Sequence, residues 1–60
     1  MTEQQILEII NKRAETDGAY RNFARSLRIN KRYKPHIYKT MIDKMSECNN
    51  EEELVAFLEE

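Results

Sequence analysis

The sequence predicts an all-α fold, a compact single domain of about four short helices. Apolar residues recur at helical spacing in four separate segments, at roughly 3–15, 19–28, 35–46 and 51–59. The chain has only one glycine and one proline, which leaves few positions for the turns that a sheet needs. With 60 residues, 40% of them hydrophobic, it is long enough to bury one small core.

The first helix is predicted from the way its segment begins. Thr2 and Gln5 have the spacing of a capping box, in which each side chain accepts a hydrogen bond from the other residue's backbone amide. The apolar residues that follow share one arc of the helix: Ile6, Leu7, Ile9, Ile10 and Ala14. Gly18 is expected to stop this helix by adopting the left-handed conformation that helix ends often require.

The second helix is predicted to begin after Asp17, whose side chain can cap it. Its apolar stripe comprises Tyr20, Phe23, Ala24 and Leu27. A continued helix would point Ile29 away from this stripe. The helix is therefore expected to end near Arg28, with residues 29–34 forming a loop in which Ile29 folds back onto the core.

The last two helices carry recognisable start signals. Pro35 suits the first position of a helix, because its missing amide would have no partner there. Asn50 and Glu53 repeat the capping-box spacing before the fourth helix. The apolar face of the third helix comprises Ile37, Tyr38, Met41, Ile42 and Met45. The buried side of the fourth comprises Leu54, Val55, Phe57 and Leu58.

Charge is unevenly distributed along the chain, although the formal net charge is only −1. Residues 21–44 hold eight cations and a single anion, Asp43. Residues 45–60 hold six glutamates and no cation. Such segregation indicates a charged partner.

Two sets of side chains are candidates for binding that partner. Arg21, Arg25 and Arg28 share one face of the second helix at i, i+4 and i+7, and the cations that follow extend this basic ridge. The predicted site for nucleic acid or an acidic protein comprises Arg21, Arg25, Arg28, Lys31, Arg32, Tyr33, Lys34, His36 and Lys39. The predicted site for a basic partner comprises Glu47, Glu51, Glu52, Glu53, Glu59 and Glu60.

These charges favour a small non-enzymatic regulator or inhibitor that binds another protein, of the kind that phages and mobile elements encode. The alternative is a DNA- or RNA-binding protein that uses the basic ridge, in an arrangement resembling a helix-turn-helix. In that case the third helix would offer His36, Lys39 and Thr40 to the bases. A third interpretation is that the acidic helix neutralises the ridge, within the fold or in a homodimer.

Catalysis and cofactor binding are not expected. Cys48 and His36 are the only cysteine and histidine, and together they cannot supply a zinc site. No third residue is placed to orient them as a catalytic pair. The first ten residues lack a basic flank and a long apolar run, so no membrane association is expected. The lone cysteine fits a reducing compartment, and the predicted location is cytoplasmic.

Overall fold

Four α-helices and no strand make up the fold, which a computed structural model describes for all 60 residues. The helices are α1 (Glu3–Ala14), α2 (Gly18–Tyr33), α3 (Pro35–Ser46) and α4 (Glu51–Leu58). The predicted all-α fold is therefore confirmed, and its extents of 28 × 24 × 21 Å are those of a single small domain. No helix combines the length and the apolar character that crossing a membrane requires.

Every helix contributes to one core. The nine buried residues are all hydrophobic: Ile6, Ile10, Tyr20, Ala24, Leu27, Tyr38, Ile42, Met45 and Leu54. No polar or charged residue is buried with them. Helices of 8 to 16 residues are marginal on their own in water, so burial of these faces against one another holds the fold together.

The predicted helix starts are confirmed, with one difference. The Gln5 amide donates to Thr2 Oγ1 over 3.2 Å and the Thr2 amide donates to Gln5 Oε1 over 2.9 Å, which completes the capping box. The Ala19 amide donates to Asp17 Oδ1 over 2.9 Å. At α4, Asn50 accepts from the Glu53 amide as predicted. The Glu53 carboxylate, however, accepts a hydrogen bond from the amide of Asn49, the residue before Asn50, over 2.6 Å and not from the amide of Asn50 itself.

The predicted end of the second helix at Arg28 is wrong, because α2 continues to Tyr33. No glycine or proline interrupts residues 29–33, and each of them can continue a helix. The helix ends at Tyr33, two residues before Pro35, since proline disfavours the helical conformation in the residue that precedes it, Lys34. Ile29 consequently lies on the outside of α2, 51% exposed, and does not fold back onto the core.

Three smaller predictions are also corrected. Gly18 does not adopt a left-handed conformation, since it is the first residue of α2 and the chain has no positive-φ residue. Phe57 is 40% exposed because the buried side of α4 is centred on Leu54. Ile37 is 38% exposed at the edge of the apolar face of α3. The core is therefore narrower than the apolar pattern suggests.

The N-terminal ammonium group is tied to the far end of α3. The Met1 nitrogen donates to the carbonyl oxygens of Ser46 at 2.8 Å and Cys48 at 3.1 Å. A positive charge at a helix C-terminus satisfies free carbonyl groups and complements the helix dipole. This contact joins the start of α1 to the end of α3.

Candidate functional site

Four arginines form a row along α2. Arg21, Arg25, Arg28 and Arg32 are separated by four, three and four residues. At 100° and 1.5 Å per residue, they fall within an arc of roughly 60° and span about 16 Å of the helix axis. All four are exposed. We call them the arginine row, which is longer than predicted because Arg32 belongs to the helix rather than to a loop.

The arginine row has no carboxylate partner within the chain. The one ion pair within 4 Å joins Arg13 to Glu51, and neither residue belongs to the row. Arg21 donates from Nε to the carbonyl oxygen of Ala14 over 3.3 Å, so it also satisfies the end of α1. The acidic helix therefore does not neutralise the row by direct pairing.

The remaining residues of the predicted basic site are scattered. Lys31 points from α2 toward α3, where its Nζ lies 5.6 Å from the centroid of the Tyr38 ring. Lys34 is the single residue between α2 and α3. His36 and Lys39 are exposed on α3. Only Arg32 joins the three arginines that the sequence already placed on one helix face.

Apolar side chains accompany the row at the C-terminal end of α2. Ile29 is 51% exposed and Tyr33, one helical turn later, is 70% exposed. The guanidinium of Arg32 lies 5.5 Å from the centroid of the Tyr33 ring. Arg25 and Arg32 are i−4 and i+3 to Ile29, so they are its neighbours on the helix surface. The sequence analysis included Tyr33 in the site but not Ile29. The lack of a helix breaker before Lys34 could have indicated that α2 continues and leaves Ile29 exposed.

The glutamates of the C-terminal segment do not act as one free surface. Glu51 pairs with Arg13 over 2.8 Å, and Glu53 accepts from the Asn49 amide. Glu59 accepts a hydrogen bond from the Tyr20 hydroxyl over 3.4 Å. The other three glutamates form no ion pair and no side-chain hydrogen bond within the chain; they are Glu47, Glu52 and Glu60. Half of the predicted acidic site thus has a role inside the fold.

Two tyrosine hydroxyl groups form hydrogen bonds between separate parts of the fold. The pKa of each of these hydroxyl groups is raised. The Tyr38 hydroxyl donates to the Glu3 carboxylate. Burial, and then this bond to a negatively charged acceptor, raises the pKa of Tyr38 to about 12. Burial and the Glu59 carboxylate also raise the pKa of Tyr20. The Tyr38 hydroxyl binds a carboxylate of α1, and the Tyr20 hydroxyl binds that of Glu59, just after α4, so both groups link separate parts of the fold.

No group of three or more histidine, cysteine, aspartate or glutamate side chains is arranged to hold a metal ion. Cys48 is a free thiol that is partly buried. His36 is exposed on α3.

No family model, curated protein or solved structure matches this chain.

Proposed function

We propose that this chain is a small regulatory protein, without catalytic activity, that binds an acidic surface of another protein through the arginine row. The observation that carries the proposal is the absence of any carboxylate within 4 Å of the row. Like charges at i, i+3 and i+4 on a helix repel by a few tenths of a kcal/mol per pair. An acidic partner would remove this cost, which no side chain of the fold offsets directly.

The apolar residues beside the row favour a protein over a nucleic acid. Arginine and tyrosine are enriched among the residues that dominate protein interfaces. Here Ile29 and Tyr33, both more than half exposed, lie next to Arg25 and Arg32. A phosphate backbone offers nothing apolar to cover Ile29, whereas a protein surface does.

Binding of a basic partner through the glutamates is a weaker proposal. Glu51, Glu53 and Glu59 would have to give up contacts within the fold. Only Glu47, Glu52 and Glu60 are available without that cost. Imitation of a phosphate backbone by the acidic helix is correspondingly less favoured.

Nucleic-acid binding is the second candidate, and the regular spacing of the row favours it. Successive arginines are about 4.5 to 6 Å apart along the helix axis. Their long side chains can reach successive phosphates, which follow one another every 3.4 Å or so along one strand. A helix-turn-helix is not favoured, because one residue, Lys34, joins α2 to α3 in place of a turn of three or four residues.

The test compares three versions of the protein as baits in a nuclease-treated lysate. These are the unaltered chain, the double variant Arg25→Glu/Arg28→Glu, and the control Lys12→Gln/Lys44→Gln, whose cations lie outside the row. We expect a partner that the unaltered chain and the control retain and the double variant loses. Retention by all three would contradict the proposal.

Fluorescence anisotropy with duplex DNA, single-stranded DNA and RNA at two salt concentrations tests the second candidate. Steeply salt-dependent binding that the double variant loses would favour nucleic acid. A homodimer and a cytoplasmic location stay predictions. Light scattering tests the first, and microscopy of a labelled chain tests the second.

A further inference from the structure

A cleft lies between α1 and α2, beside the arginine row. Its apolar floor consists of Leu7 and Ile10 from α1, Ala24 and Leu27 from α2, and Tyr38 from α3. The volume is about 120 Å³. Because Ile10, Ala24 and Leu27 also belong to the core, the floor is rigid and apolar.

Polar and cationic side chains surround the opening. Arg28 and Lys31 line the cleft from α2, and Asn11 lines it from α1. Arg28 is a member of the arginine row, and neither it nor Lys31 has a carboxylate within 4 Å. Lys31 lies over the Tyr38 ring, which places its charge on the same side of α2 as the cleft. The cleft is thus apolar inside and positive along its α2 side, while Glu3 and Glu8 line an adjoining groove on the α1 side.

The size and charge of the cleft together define what fits it. An apolar cavity of about 150 Å³ holds benzene, so a cleft of about 120 Å³ is matched in size to a branched aliphatic side chain. The two cations on the α2 side favour negative charge next to that group. An aliphatic residue between acidic residues meets both requirements.

We propose that this cleft receives one leucine-sized aliphatic side chain from an acidic segment of the partner protein, whose flanking carboxylates bind Arg28 and Lys31. This inference rests on the proposed function and deepens it, because it assigns the specificity of the interface to one pocket. The arginine row attracts any acidic surface. The cleft then favours a segment whose aliphatic residue is positioned to enter it. Interfaces commonly place their strongest contacts in such pockets beside charged groups.

Two matched peptides test the proposal: acetyl-Glu-Glu-Leu-Glu-Glu-amide and the same peptide with alanine at its centre. Each is titrated at low ionic strength into the isotope-labelled full chain and followed by NMR. We expect the leucine peptide to bind roughly tenfold more tightly, because its larger side chain leaves water for an apolar site. It should also shift the signals of Leu7, Ala24 and Leu27.

Two variants show whether the cleft causes this preference. Asn11→Trp places a large ring at the rim, and Lys12→Trp is the neighbouring exposed control. Both positions are exposed, so both variants should fold, which circular dichroism checks. The preference for leucine should disappear in Asn11→Trp and persist in Lys12→Trp.

The outcomes separate the two proposals. Equal binding of both peptides, with shifts confined to the arginine row, would overturn the cleft proposal and leave the proposed function intact. A preference for leucine that survives Asn11→Trp would also overturn it. Failure of both peptides to bind the unaltered chain would count against the cleft and against recognition of acidic segments by the row.

Discussion

The guanidinium of Arg13 lies 2.8 Å from the Glu51 carboxylate and 5.7 Å from the centroid of the Tyr20 ring. One side chain therefore connects α1 with the first turn of α4 and the first turn of α2. The pairing joins the acidic first turn of α4 to α1. The carboxylate of Glu51 thus pairs with an arginine of α1, and no arginine of the arginine row has a carboxylate within 4 Å.

Replacing Glu51 with glutamine should destabilise the fold only slightly. The Arg13 and Glu51 side chains are 39% and 54% exposed, and ion pairs of that exposure contribute about 0–1 kcal/mol. Urea unfolding measures the change, and added salt should reduce it because salt screens exposed charges. Glu52→Gln, at a neighbouring exposed position without an ion pair, is the control. A loss of more than about 2 kcal/mol would show a larger role for the pair than its exposure allows.

Removing apolar volume from the core should unfold much of the protein. Ile10 is 0% exposed, and Ile10→Ala should cost about 2–5 kcal/mol through lost burial and the cavity left behind. A domain of this size has only about 3–5 kcal/mol of stability to lose. Circular dichroism and urea unfolding measure the effect.

The matched control for that change is Ile29→Ala, which makes the same substitution at a side chain 51% exposed. Its effect on stability should stay within about 0.5 kcal/mol. A large loss would mean that Ile29 packs against the core, as the sequence alone suggested. Similar losses at both positions would contradict the burial described above.

Stability should fall at alkaline pH because of Tyr38. Its pKa is raised to about 12 in the folded chain and is near 10 in an unfolded one, so the folded state binds the proton more tightly. The resulting stabilisation is complete below about pH 10 and is lost as pH rises toward about 12. Urea unfolding at about pH 8 and pH 11 should show the decrease. Tyr20 contributes in the same direction.

Tyr38→Phe is the control for this pH effect. It removes the hydroxyl group that binds Glu3 and should lower stability at neutral pH by about 1 kcal/mol. The decrease between the two pH values should then be smaller than in the unaltered chain. An equal decrease in both proteins would show that groups other than Tyr38 cause the alkaline loss.

Most of the fold could be predicted from local signals in the sequence. Thr2, Asp17, Pro35 and Asn50 mark the four helix starts because capping depends on residues that are close in sequence. The end of α2 could not be read from its apolar stripe, because the stripe stops at Leu27 whereas the backbone continues. Because no helix breaker occurs before Lys34, the helix continues past Leu27 even though this leaves Ile29 exposed.

The candidate site was predictable in part for the same reason. Arg21, Arg25 and Arg28 lie on one face by helical spacing alone, and the longer α2 adds Arg32. The pairing of Glu51 with Arg13 and the cleft beside Arg28 depend on how separate helices approach one another. Residues 38 apart in sequence meet in that ion pair, and no local pattern specifies such a contact.

If the charges of Arg25 and Arg28 serve a partner and not the fold, their removal should not destabilise the isolated protein, and urea unfolding of Arg25→Gln/Arg28→Gln at low salt measures this. Glutamine keeps a long side chain with similar helix propensity and removes the charge. Because neither arginine has a carboxylate partner within the chain, we expect a free energy of unfolding that is unchanged or higher by a few tenths of a kcal/mol. A loss of more than about 1 kcal/mol would contradict it, since the arginines would then be stabilising the fold through charges within the chain.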